Sequence, residues 1–185
     1  MKQYKNKSGN IIMIEKDMSG FSPMYANHTF LNYFTWEDNF PPLQDSEFDT
    51  LRDWFNSVSK YDFSELEAQS NLPANSLDFY ELLCAKLSEE DIFALPIIKI
   101  KGATYPYAIA SSLSTLEGDM AGIAWEKKEV ISERLGVEAA ELPSKTKEIL
   151  KNVSLDLKLQ NLYLNEEVYQ FTLYKDDSLK EELMN

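Results

Sequence analysis

An α+β domain spanning residues 1–185, with a mainly antiparallel sheet of five to six strands and about four helices, is what this sequence predicts. Three observations carry the prediction. Segments with period-two alternation lie near the start, the middle and the end of the chain. Apolar stripes at helical spacing come in pairs, one pair in each half. There is no βαβ rhythm and no Gly-rich first turn, which sets aside a dinucleotide-binding architecture.

Asn10–Lys16 is short and β-branched, ends before Ser19-Gly20, and predicts the first strand. Phe21–Asn27, with Ser22-Pro23, reads as loop. Phe30–Trp36 alternates Phe30, Asn32 and Phe34 against Leu31, Tyr33 and Thr35, a strand with large side chains on both faces. Pro41-Pro42 then breaks the chain. Ser46 is placed to cap a helix with Glu47 and Asp49 in its first turn. Leu51, Trp54, Phe55 and Val58 fall on one face of that helix. A polar connector, Gln69 to Asn75, leads to a second helix capped by Ser76, with Leu77, Tyr80, Leu83, Cys84 and Leu87 as its stripe. It ends at Ser88-Glu89-Glu90-Asp91, three acids where the helix dipole disfavours them.

Phe93–Lys101 predicts a strand with Pro96 near its start, Gly102 a turn, and Thr104–Leu113 the hairpin partner. Gly118-Asp119 reads as a further turn. Ala121–Trp125 reads as a short strand passing into a helix, Glu126–Leu135, stopped by Gly136. Pro143-Ser144 opens another helix to about Gln160, with Ile149, Leu150, Val153 and Leu157 inward. Glu167–Lys175 alternates as a closing strand, and Ser178–Met184 forms a frayed helical turn.

Charge is regional in this chain. Residues 37–91 hold 14 Asp and Glu against Arg52, Lys60 and Lys86, a net of −11 out of −13 for the whole sequence. Residues 1–36 carry a net of +2 and residues 92–185 a net of −4. An acidic helical segment at 37–91, followed by a C-terminal α/β portion at 92–185, points to a basic partner and away from direct nucleic-acid or anionic-membrane binding. About 40 Å of duplex DNA, the width of a domain this size, carries about 24 phosphates. A net of −11 is therefore enough to compete for a basic groove, though modest for a full duplex mimic. The plain alternative is a solvated surface. No apolar run has the length of a membrane span or a signal peptide, and a single cysteine, Cys84, fits a reducing cytoplasm.

Catalytic patterns are sparse. His28 is the single histidine, and Cys84 sits in an apolar stripe where a thiol acts as a small hydrophobe. One His and one Cys cannot close a zinc site. Asp119, Glu126 and Lys128 resemble the carboxylate–lysine set of a magnesium-dependent nuclease, but Glu126 at a helix start is explained by the dipole alone. With only two arginines, Arg52 and Arg134, the chain lacks the basic surface a nuclease shows its substrate. No catalytic residue, metal or cofactor is expected. Tyr25, Phe30, Tyr33, Phe34, Trp36 and Phe40 read as core rather than as a base-stacking platform.

Ile97–Lys101, Tyr105-Pro106-Tyr107-Ala108, Gly118-Asp119-Met120-Ala121-Gly122-Ile123-Ala124-Trp125, Lys128-Glu129-Val130, Leu142–Lys147 and Leu164–Tyr169 occur in an order that loosely resembles antirestriction (ArdA-like) proteins, small acidic proteins of phages and mobile elements. Ile14–Asp17, Ser22-Pro23 and Asn27–Trp36 extend the resemblance over residues 12–175. The chain departs from that pattern at Leu116-Glu117-Gly118-Asp119, at Asn165-Glu166-Glu167, and in lacking a His-rich N-terminal stretch. The resemblance implies a mobile-element protein that blocks a host restriction or CRISPR nuclease without catalysis of its own.

The expected function is thus an anti-defence inhibitor acting on a basic nucleic-acid-binding protein, a nuclease. Its partner-binding residues are Trp36, Glu37, Asp38, Phe40, Asp45, Glu47, Asp49, Asp53, Asp62, Glu65, Glu67, Glu89, Glu90 and Asp91. An immunity protein neutralising a cognate toxin is the alternative, and a metal-dependent nuclease a lesser one. Charge reversal at Asp49, Asp53, Glu65 and Glu67 is expected to weaken binding, whereas reversal at Glu166 and Glu167 is not.

Overall fold

The computed structural model describes residues 2–5, 10–16, 29–36, 48–110, 118–165 and 169–174. In chain order the elements are β1 (Lys2–Lys5), β2 (Ile11–Lys16), β3 (Asn32–Thr35), α1 (Leu51–Val58), α2 (Phe63–Ser70), α3 (Leu77–Ser88), β4 (Ile92–Ile100), β5 (Tyr107–Ile109), β6 (Gly118–Lys127), α4 (Lys128–Leu135), a 3-10 segment (Ala139–Lys145), α5 (Thr146–Leu164) and β7 (Tyr169–Tyr174). The α+β class expected from the sequence is what forms, and every strand pair is antiparallel. The strands divide between two sheets. One has the order β1-β2-β7, the other β3-β6-β4-β5.

Both faces of the four-stranded sheet are covered, because its strands carry apolar side chains at odd and even positions alike. On β3, Tyr33 enters one core and Phe34 the other; on β6, Ala124 and Ile123 divide in the same way. The first core packs Leu31, Ile97, Tyr107 and Ile109 beneath Ile131 of α4 and Ile149, Val153 and Leu157 of α5. The second packs Ile92 and Ile123 beneath Trp54, Phe55, Phe63, Phe79 and Leu83 of α1–α3. Trp54, Phe55 and Phe79 are fully enclosed, and each contributes about 2–3 kcal/mol by leaving water. Gly122 lets β3 and β6 close up: a Cβ there would stand 2.4 Å from the Phe34 carbonyl oxygen.

The helix stripes at 51/54/55/58 and at 77–87 form as their spacing predicts, and Ser76 caps α3 by accepting the Phe79 N–H. Gly136 ends α4 in the left-handed conformation at φ 64°. Other boundaries differ. Residues 48–50 are not helical, and α1 starts at Leu51 because Thr50 is its cap: the hydroxyl accepts the Asp53 N–H and donates to the Asp53 carboxylate at 2.6 Å. α2 falls where the sequence marked no element and takes in only the first two residues, Gln69 and Ser70, of the expected connector. Only Phe63 and Leu66 of its eight residues are buried, too few for a periodic signal, while Asp62 caps it by accepting the Glu65 N–H.

Gly118 and Asp119 are strand rather than turn, and Glu126 and Lys127 remain in β6 rather than opening α4. Pro143 lies inside the 3-10 segment, and α5 begins after it at Thr146. Of the expected partner Thr104–Leu113, only Tyr107–Ile109 is strand, with 111–117 outside the described residues. β1, lysine-rich and weak in strand propensity, forms by pairing with β2. Tyr25, His28, Pro41-Pro42, Ser46 and Ser178–Met184 lie outside the described residues. No helix among the described residues is long and apolar enough to cross a membrane.

Candidate functional site

The acids of the central segment sit on a helical layer, α1–α3, whose inner faces are committed to the second core. All three cations of that segment are paired with its own acids. Arg52 bonds Glu67 at 3.2 Å, Lys60 meets Glu90 at 3.7 Å, and Lys86 meets Glu89 at 2.8 Å. A fourth cation reaches in from α4, where Lys128 stands 3.9 Å from Asp91. Glu89 also accepts the Tyr61 hydroxyl. Lys86 and that phenol hold its carboxyl below the usual carboxylate range. The three acids at the end of α3 therefore do not form a free anionic patch. Glu89 is pinned by Lys86, Glu90 accepts the Lys60 N–H at 3.0 Å, and Asp91 adopts a left-handed turn at φ 60° whose carbonyl takes the Lys128 N–H.

What remains is a set of exposed acids with no cation in reach among the described residues: Asp49, Asp53, Asp62 and Glu65, joined by Asp78 and Glu81 of α3. Asp53 and Asp62 also work as parts of helix N-termini, so they carry structural duty as well as charge. Asp78 and Glu81 are absent from the residues the sequence singled out. Their signal was the helical spacing 78, 81, 85, 88, opposite the buried Phe79, Leu83 and Leu87. Glu37, Asp38, Phe40, Asp45 and Glu47 lie outside the described residues.

Trp36 stands at the edge of this layer with 40% of its surface exposed, although its neighbours Tyr33, Phe34 and Thr35 are buried. A bulge explains its placement. Between Ile97 and Ile98 of β4 the register slips by one residue on β6, leaving Ala121 as the extra residue. The Trp36 backbone N–H donates to the Ala121 carbonyl and its indole N–H to the Met120 carbonyl at 3.1 Å. Both ends of the tryptophan are thus fixed by the irregular stretch. Its ring lies 5.8 Å from Tyr80 and 6.4 Å from Phe34, and the aromatic series continues inward through Trp54 to Trp125. Trp36 is an amphipathic surface ring on a rigid base, the kind of residue that anchors protein interfaces.

The residues weighed for catalysis are kept apart. Asp119 and Glu126 stand at opposite ends of β6, about 20 Å apart at strand rise. Asp119 is exposed and pairs with Lys101 at 3.2 Å. Glu126 is buried, accepts Asn32 Nδ2 at 3.1 Å and bonds Arg134 at 3.2 Å. The dipole explanation for Glu126 is therefore replaced by its ion pair with the partly exposed Arg134. Lys128 donates to the Ser88 carbonyl at 2.7 Å. Burial pushes the Cys84 thiol up to about 12, so it stays protonated and unreactive at neutral pH. Among the described residues no three His, Cys, Asp or Glu side chains converge on a metal-sized site.

A second polar cluster, not seen in the sequence, lies in the first core. Asp156 of α5 accepts the Phe30 N–H at 2.7 Å and the Tyr33 hydroxyl at 3.0 Å. Arg134, bonded to Glu126, also donates to the Phe30 carbonyl. Burial pushes the Asp156 carboxyl above its ordinary range, against the pull of those donors. Every group in the cluster is satisfied from within and ties the start of β3 to α4 and α5. Its role is structural. Compared with family models, curated proteins and solved structures, the chain matches none.

Proposed function

We propose that this chain is a non-enzymatic inhibitor of a nucleic-acid-targeting defence enzyme, a restriction or CRISPR nuclease, whose basic groove it engages through the exposed acids of α1–α3 with Trp36 as anchor. One observation supports this most: the acidic segment uses up its own three cations on Glu67, Glu89 and Glu90, while six further acids stay exposed on a layer against which Trp36 is held through Tyr80. An acidic coat kept only for solubility needs no exposed aromatic ring on a fixed base. Charge would speed encounter and set orientation, and desolvation of the Trp36 ring would slow release. The loose resemblance to antirestriction proteins of phages and mobile elements favours the same partner class.

The test is affinity capture from bacterial lysate at low salt and at about 0.5 M, where screening extends only a few ångströms. A nuclease held at low salt and shed at high salt is the expected result. Capture of a small basic toxin would instead favour an immunity protein. Triple reversal at Asp49, Glu65 and Glu81 should abolish capture, and Trp36→Ala should shorten residence. Reversal at Glu129 and Glu133, on the far side of the sheet, should leave both unchanged. Equal effects of the two sets of reversals would remove the acidic-face proposal.

A further inference from the structure

The opposite side of the molecule carries a site of different character. A groove of about 580 Å³ runs between α5 and the edge strand β5. Its floor is Tyr107, Ile109 and Leu157, all part of the first core and therefore fixed in place. Tyr105, 47% exposed, stands at its mouth. The amide of Asn161 is engaged by the Tyr107 backbone, so that end of the groove offers an incoming molecule no hydrogen bond. The polar groups left on the rim are the Ser154 hydroxyl and the Lys158 ammonium, both exposed, and Lys158 has no acid partner among the described residues.

Among the described residues, the one charged group lining the groove is Lys158, and α5 adds further lysines along the same side. Lys147, Lys151 and Lys158 fall on one stripe of α5, exposed and without ion pairs among the described residues. Of the two acids on the helix, Asp156 turns inward to Phe30 and Tyr33, and Glu148 pairs with Lys145. A cavity of this volume, with an apolar and aromatic floor and one or two polar groups at its rim, has the make-up of a small-molecule site. The sign of the rim selects the ligand.

We propose that this groove binds a small amphipathic organic anion, an arene or short acyl chain bearing a carboxylate. The apolar body lies on Tyr107, Ile109 and Leu157 beside the Tyr105 ring, and the carboxylate accepts from Lys158 and Ser154. Nucleic acid is a poorer fit, since a single cation, Lys158, lines the groove, too little charge to follow a phosphate backbone. The site shares no residue with the acidic layer and stands or falls independently of the function proposed above.

The experiment is a titration of the isotope-labelled chain with naphthalene-2-carboxylate and, separately, with neutral 2-naphthamide, followed by amide chemical shifts. Saturable shifts concentrated at 105–109 and 154–161 are expected, with the carboxylate at least about fivefold tighter than the amide. Lys158→Glu should remove that preference while leaving the spectrum that of a folded protein. Ser154→Trp, which fills the groove from the exposed side of α5, should abolish binding of both probes. Equal affinity for the two probes, saturable shifts that spare 105–109, or no saturable shift at all would each overturn the proposal.

Discussion

The side chain of Asn161 pairs with the backbone of Tyr107 as a neighbouring strand would. Its Oδ1 accepts the Tyr107 N–H at 3.1 Å and its Nδ2 donates to the Tyr107 carbonyl at 2.9 Å. β5 is the last strand of its sheet, so these two groups face away from β4 and would otherwise be stranded under α5. Asn165, one turn on, donates to the Thr104 carbonyl at 2.7 Å and extends the same fastening. Replacing Asn161 by Leu should cost about 2–4 kcal/mol, since two buried backbone groups lose their partners together. Asn161→Asp, which keeps the acceptor and sets an oxygen against the Tyr107 carbonyl, should be no milder. An unchanged urea midpoint in either variant would show that α5 holds β5 by packing alone.

Asp156 should give the chain an unusual slope of stability with pH. Its folded-state carboxyl titrates above the ordinary value because of burial, so the folded chain binds its proton more tightly than the unfolded chain does. The stability contributed by this group is full below the unfolded value of about 4 and is lost as pH rises through the folded one. Asp156→Asn removes the titration while keeping an oxygen acceptor for Phe30 and Tyr33. Relative to the natural chain, the variant should gain stability as pH rises from about 4 towards neutrality. A difference that does not change with pH would contradict the assignment.

Glu126 should prove a structural residue. Glu126→Ala leaves Asn32 and Arg134 without the carboxylate that joins them, at a cost of about 1–3 kcal/mol given that Arg134 is partly exposed. In a double-mutant cycle with Arg134→Ala, the two losses should fall well short of additive. Additive losses would mean that the pair carries no coupling.

Gly122→Ala tests the closeness of β3 and β6. The new methyl would meet the Phe34 carbonyl and the Thr35 side chain at under 3 Å, and overpacking of this kind costs about 1–3 kcal/mol. Because the strand that must yield runs straight into Trp36, the variant should also change tryptophan emission and weaken partner capture. Full stability with unaltered emission would show that β3 shifts freely.

How far the sequence reached is clearest at α1 and α2. Leu51, Trp54, Phe55 and Val58 repeat at helical spacing, and the helix forms on that face. α2 buries only Phe63 and Leu66, and its start is marked by a single capping aspartate, so no period announces it. Glu126 looks like a helix-start acid because its true partner, Arg134, is known only once β6 and α4 have packed together. The acidic segment was legible as charge, but which acids stay uncompensated was not. That depends on Lys60, Lys86 and Lys128 reaching residues brought near by the fold. The exposure of Trp36 was likewise hidden, since it follows from one extra residue on a strand more than eighty positions away.

The four-stranded sheet separates the exposed acids of α1–α3 from the lysine stripe of α5. Among the described residues the charges are uneven across that partition, with uncompensated acids on α1–α3 and uncompensated lysines on α5. In the field of a charged surface a body so charged feels a torque before it feels a contact. Near a cationic groove or an anion-exchange resin that unevenness would favour approach with helices α1–α3 leading and the lysine stripe of α5 trailing.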